Sequence, residues 1–205
     1  MMRSTHVLTI SLASLATLLL AACATPPVEH LYRLDYPVAS SSQAEAQYEL
    51  VVATVKLPEA VNRQQLVIQK SATESIVSDE QRWLAPLDEQ LTNALTAHLR
   101  KNLPDAWLSS DIGINAGVAT TPGNSLPRYQ VKVQVDQLLI QSGDQLTLEA
   151  SWVVLDQGRK LLKREHQVFT VRLNGPAYEA VAPALSEAAR QLAEQVGASV
   201  AGVRK

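Results

Sequence analysis

The sequence predicts an α+β fold: a mostly antiparallel sheet with two long helices packed on one face, in a single domain. Three observations carry this. Leu84, Leu87, Leu91, Leu95, Leu99 and Leu103 recur at spacings of three and four, which lays one apolar stripe along a helix. Tyr129, Val131, Val133 and Val135 alternate with Gln130, Lys132, Gln134 and Asp136, the period-two pattern of a strand with one wet face. Tyr178, Val181, Leu185, Ala188, Leu192, Val196 and Val200 form a second helical series near the end.

In chain order, residues 31–36 read as a first strand and 37–47, rich in Ser, Ala and Gln, as a loop. Residues 49–56 hold too many consecutive apolar side chains for a strand with a solvated face, so they belong inside the sheet. Leu57-Pro58 ends that strand. Residues 66–69 and 74–77 are short strands separated by Lys70-Ser71-Ala72-Thr73. Pro86 fits the first turn of the first helix, where a missing amide proton costs least, and Pro104 supplies the stop. Residues 106–109 make a further strand, and 111–126 a long loop.

The β pattern then becomes continuous. Ser142-Gly143-Asp144 turns the chain after the first alternating run, and Leu146, Leu148, Ala150, Trp152 and Val154 alternate along the next strand. Asp156-Gln157-Gly158-Arg159 turns it again into a strand over 160–173, completing an antiparallel meander. Asn174-Gly175-Pro176 signals a helix start. Pro183 either occupies the first turn of the last helix, after a short preceding turn, or kinks a longer one.

Residues 1–22 read as a cleaved leader: Arg3, an apolar run from Val7 to Leu20, then Leu20-Ala21-Ala22-Cys23. The run falls short of the roughly 20 residues that span a bilayer. Leu-Ala-Ala-Cys resembles the lipobox of bacterial lipoproteins, which implies cleavage between Ala22 and Cys23 and acylation of Cys23, palmitate included. Cys23 is the only cysteine, so an intramolecular disulfide is excluded. Several acyl chains, at about 0.8 kcal/mol per buried methylene, make a lasting anchor. Ala24, where aspartate marks retention at the inner membrane, points to the outer membrane. Residues 23–30, with paired prolines, read as a tether and 31–205 as the domain. Without the leader, the 18 basic and 20 acidic residues leave a formal charge of about −3, which gives no reason to expect nucleic acid.

No nucleophile elbow, phosphate loop, dinucleotide fingerprint or zinc spacing occurs after the leader, so no enzyme, cofactor or metal is expected. His98 lies on a helix flank without a ligand-spaced partner, and His166 sits in a charged strand. Asp79-Glu80 and Asp88-Glu89 are sequence neighbours that read as solvated surface.

A series of short segments carries a resemblance over nearly the whole of the chain after the leader. They are Tyr32-Arg33-Leu34, Val55-Lys56-Leu57-Pro58, Asn62-Arg63-Gln64-Gln65-Leu66-Val67, Arg82-Trp83-Leu84-Ala85-Pro86-Leu87, Ala150-Ser151-Trp152 and Leu185-Ser186. In their order and spacing they resemble the ABC-type transport auxiliary lipoprotein family, also called the paraquat-inducible protein C family. The family commonly shows Tyr-Leu-Asp-Arg where this chain has Ala60-Val61-Asn62-Arg63, and Ala-Glu where it has Leu84-Ala85.

The resemblance implies a non-catalytic periplasmic component of a system that moves lipids between two membranes. Its partners would be an MCE-domain protein and an associated transporter, and it would form a homo-oligomer. Arg82, Trp83 and Pro86, with Leu57, Pro58, Asn62 and Arg63, are the candidate docking residues. Trp83 and the Leu57–Arg63 turn also admit a plain reading as core and strand-ending turn, and Trp152 reads as core. Two other functions are kept beside this one: an outer-membrane assembly or envelope-stabilising lipoprotein, and a periplasmic lipid carrier.

Overall fold

The computed structural model describes residues 28–38, 46–110, 126–175 and 178–204. The leader, Ala22, Cys23, most of the tether, Pro176 and most of the 37–47 and 111–126 loops lie outside the described residues.

Eight strands form two sheets. The larger contains β2 (Tyr48–Val52), β5 (Ala106–Ser110), β6 (Arg128–Ile140), β7 (Gln145–Asp156) and β8 (Leu161–Arg172), in the order β5-β2-β6-β7-β8. The expected meander is present as the antiparallel β6-β7-β8 half. β2 is interior, as its apolar run requires, and lies parallel to both neighbours. The smaller sheet is ordered β1-β4-β3, with β1 (His30–Tyr32), β3 (Gln65–Gln69) and β4 (Ser75–Trp83). A parallel bridge from Gln69 to Gln141 joins the two.

The alternation that predicted β6 fails after Val135, where Asp136 and Gln137 are both polar. A β-bulge between Val135 and Gln137 absorbs the extra residue, so Leu138 and Ile140 return to the buried face occupied by Val131, Val133 and Val135. Gly143 supplies the positive φ of the β6–β7 turn, at 72°. In the β7–β8 turn Arg159 takes the left-handed position, and Asp156 Oδ1 accepts the Lys160 amide at 2.9 Å.

Helix α1 (Leu87–Asn102) buries Leu87, Leu91, Leu95 and Leu99, with Asp88 and Glu89 in its first turn and Arg100 and Lys101 in its last, matching the helix dipole. Leu103 caps it. Leu84 departs from the expected stripe: it precedes the helix and is 57% exposed, because β4 runs six residues past Val77 and Pro86 is the N-cap rather than a first-turn residue. The first strand likewise stops at Tyr32, well before Tyr36, since Leu34 and Asp35 turn toward the helices.

Helix α2 (Val181–Val203) follows a single 3₁₀ turn at Tyr178–Ala180, which places Pro183 in its first turn and decides between the two readings of that proline. Its buried face is rich in Ala, with Leu185, Leu192, Val196 and Val200, and it packs on α1, β7 and β8. Both helices and the inner faces of both sheets share one core. Trp152, on the inner face of β7, is core as expected, and its indole N–H donates to Ser199 Oγ at 3.0 Å. Trp107 on edge strand β5 is 55% exposed.

Ser199→Ala leaves that buried N–H without its acceptor, so we expect a loss of about 1–3 kcal/mol in denaturant unfolding. Adding Trp152→Phe should cost less than the two single losses combined, which a double-mutant cycle measures directly.

Candidate functional site

The segment from His30 to Asp35 is built into the body of the domain. β1 lies parallel to β4, pairing His30 with Gln81, Leu31 with Arg82 and Tyr32 with Trp83. The Tyr32 hydroxyl donates to Gln81 Oε1 at 2.6 Å, and the Leu84 amide donates to the Tyr32 carbonyl at 2.7 Å. Beyond β1, each helix holds one backbone amide. The Leu34 N–H donates to Gln90 Oε1 on α1 at 2.9 Å, while Gln90 Nε2 donates to the Ala85 carbonyl at 2.8 Å. The Asp35 N–H donates to Ser186 Oγ on α2 at 2.9 Å, and that hydroxyl donates to the Ala182 carbonyl at 2.7 Å.

Gln90 and Ser186 are buried polar side chains on otherwise apolar helix faces. In the sequence Ser186 stands out only within the family resemblance, and Gln90 does not stand out. Their signal was a hydrogen-bonding side chain set among core positions, where a group without a partner costs free energy.

The candidate docking residues divide by burial. Trp83 is 3% exposed and belongs to the core, its amide donating to the Gln64 carbonyl at 2.7 Å. Arg82 is part-exposed; its Nε donates to the Asp79 carbonyl at 3.1 Å, and its Nη2 lies 3.5 Å from Glu29 Oε1. Leu57 and Pro58 are half-buried at the head of a turn in which the Val61 and Asn62 amides both donate to the Pro58 carbonyl. Asn62 and Arg63 are exposed on that turn, and Pro86 is exposed at the head of α1. Register brings the segments together, because β3 leaves the turn and pairs Gln65 with Arg82. The end of the small sheet at which β1 pairs with β4 thus presents Asn62, Arg63, Arg82, Leu84 and Pro86.

Between this segment and the helices lies a cavity of about 450 Å³, lined among others by Arg33, Tyr36, His98, Glu187 and Arg190. His98 sits on the helix flank as expected, and its Nε2 is buried with no hydrogen-bond partner among the described residues. Burial pushes its pKa below the ordinary value, aided by the positive charges of Arg190 and Lys101. Hydrogen bonds from Arg190 at 2.6 and 2.7 Å and from Gln191 at 2.9 Å hold the Glu187 carboxyl down at about 2. Among the described residues no group of three or more His, Cys, Asp and Glu side chains is placed to hold a metal ion. His166 pairs across strands with Glu149 at 2.8 Å.

Fold and site together define an α+β domain in which polar clamps from both helices fix the chain just after β1. A family model described as "ABC-type transport auxiliary lipoprotein component" matches residues 32–197, and the chain belongs to that family. It is 28% identical over 156 residues to the intermembrane transport lipoprotein PqiC of Escherichia coli (strain K12), covering 75% of this chain and 77% of the relative. The same figures hold for the protein of that name from Shigella flexneri. Among solved structures, a Xanthomonas campestris protein matches with a TM-score of 0.65 at 15% identity, covering 85% of this chain and 98% of that one. A second, titled as an uncharacterized protein, gives 0.64 at 18% identity over 84% and 99%. These two likenesses confirm the fold. Among the described residues no helix is long and apolar enough to cross a membrane.

Acidification should lower stability in two windows. His98 has a lowered folded pKa, so the unfolded chain takes up its proton first and stability falls as pH drops below about 6.5. Glu187, lowered from 4.5 to about 2, contributes stability above pH 4.5 that is lost as pH falls toward 2. Unfolding midpoints measured against pH should lose the first slope in His98→Gln and the second in Glu187→Gln. Separately, Gln90→Leu should raise hydrogen exchange at the Leu34 amide about tenfold or more, since its buried acceptor is gone.

Proposed function

We propose that this chain is the lipid-anchored auxiliary component of a system that moves lipids between the inner and outer membranes, acting by docking rather than by catalysis. The observation that carries this reading is the construction around β1, where the strand that follows the tether pairs with β4 and is clamped by Gln90 and Ser186. A domain built this way resists being pulled off its N-terminus, which suits a protein fixed by acylated Cys23. The name of the E. coli relative, an intermembrane transport lipoprotein, supports the same direction.

In this reading cleavage falls between Ala22 and Cys23, residues 23–30 are the tether, and 31–205 are the docking domain, held on the periplasmic face of the outer membrane. The partner is an MCE-domain protein with its associated transporter, and several copies of the chain assemble around it. Asn62, Arg63, Arg82 and Pro86 form the contact surface, with Leu57 and Pro58 shaping the turn and Trp83 supporting it from the core. Confinement to a membrane surface raises the effective concentration of the partner without any added contact.

The test is co-purification of the acylated protein, extracted in detergent, with an MCE-domain protein. Recovery only with barrel-assembly components would overturn the proposal. Replacing Arg63 and Arg82 together by Glu should cut recovery about tenfold, as expected when interface arginines are lost. Cys23→Ala should release the domain from the membrane fraction or leave the leader uncleaved, and unchanged membrane retention would contradict the anchor.

A further inference from the structure

The outer face of the large sheet, opposite the helices, has a feature that docking does not use. Lys132 on β6 pairs with Val153 on β7, which pairs with Arg164 on β8, so two cations flank one valine. With strands about 4.8 Å apart, their Cα atoms stand roughly 10 Å from each other. Lys56 bridges to Gln134, the next outward residue of β6. Lys56, Lys132 and Arg164 line one cavity of about 450 Å³, whose wall also contains Ala53, Ser151 and Val153.

Charge makes this arrangement unusual for the chain, whose formal net charge is −2. On the same face Arg128 is paired with Glu49 at 2.9 Å and His166 with Glu149 at 2.8 Å. Among the described residues Lys56, Lys132 and Arg164 have no carboxylate within salt-bridge distance. Asp136 stands at the border, where its two oxygens accept hydrogen bonds from Ser151 Oγ at 2.5 Å and Gln134 Nε2 at 3.1 Å. Like charges gathered around one concavity repel one another unless a counter-charge enters it.

We propose that this cavity is a binding site for a phosphate group carried on a small organic ester. A guanidinium fork and two ammonium groups suit a tetrahedral oxyanion that accepts several charge-assisted hydrogen bonds. The volume lies within the range of ligand pockets and exceeds what inorganic phosphate fills. The apolar side chains of Ala53 and Val153 take the uncharged part of the ester. Two sources share this chemistry, a phospholipid headgroup and a soluble phosphate ester, and the site stands whether or not an MCE-domain partner does.

The experiment is a ³¹P NMR titration of the acylated protein in dodecyl maltoside, which contains no phosphorus, with sn-glycerol 3-phosphate as the probe. Saturable broadening is expected, at least about tenfold weaker in K132E/R164E, a change of about 1.4 kcal/mol or more. Arg128→Glu should leave it unchanged, and unfolding midpoints should show that both variants remain folded. Displacement of the probe by phosphatidylglycerol in the micelle, at concentrations where inorganic phosphate has no effect, identifies a headgroup site. Binding of the probe that phosphatidylglycerol does not displace identifies a soluble-ester site, and displacement by inorganic phosphate equal to that by the ester would overturn the assignment to an ester. Absence of saturable binding, equal binding by K132E/R164E, or displacement by glutamate as effective as by phosphate would each overturn the proposal.

Discussion

The structure depends on how closely its last helix can approach everything else. α2 is pressed between α1 and the inner faces of β7 and β8, and at Ala182, Ala184, Ala188, Ala189 and Ala193 it presents little more than backbone and a methyl group. At Gly197 even the methyl is missing, though a Cβ there would make only ordinary van der Waals contact with Leu99 Cδ2, at 3.6 Å. A closely seated helix suits a core with few aromatics, whose volume must come from Leu, Val and Ala. Larger residues along this seam would lift α2 from the sheet and from α1 together.

That packing also organises the surface. Because both helices cover one face, the other face of the large sheet stays open to solvent, with its charged side chains standing on neighbouring strands. The small sheet is attached at one side and supported mainly through β3, so much of β4 is exposed. One side of the molecule is therefore a packed scaffold, and the remaining surfaces are free for contact.

Much of this was legible in the chain. The meander followed from alternation along β7 and along β6 as far as Val135, with turn residues after each, and both helices from leucine and valine spacing, because each rule concerns a face turned toward one core. Leu84 misled because a periodic leucine looks the same whether the helix has begun or the strand has not ended, and β3 pairing with Arg82 decided for the strand. The separate small sheet could not be read from local pattern, since parallel pairing of β1 with β4 joins segments about fifty residues apart. Of the candidate docking residues, Trp83 was correctly open to a core reading, while Asn62, Arg63 and Arg82 converge only through strand register. Gln90 stayed hidden because a lone glutamine among leucines has no periodicity of its own.

The hydrogen bond from Asp35 to Ser186 spans 151 residues of sequence. A chain made from its N-terminus therefore carries this segment through 151 residues of synthesis before the residue that receives it exists. The entry segment can be completed only after the last helix has docked, making closure of this contact a late event in folding. Docking of the last helix is thus read out at Asp35, where a truncated or misfolded copy would present a slack, protease-accessible segment in place of a fixed one.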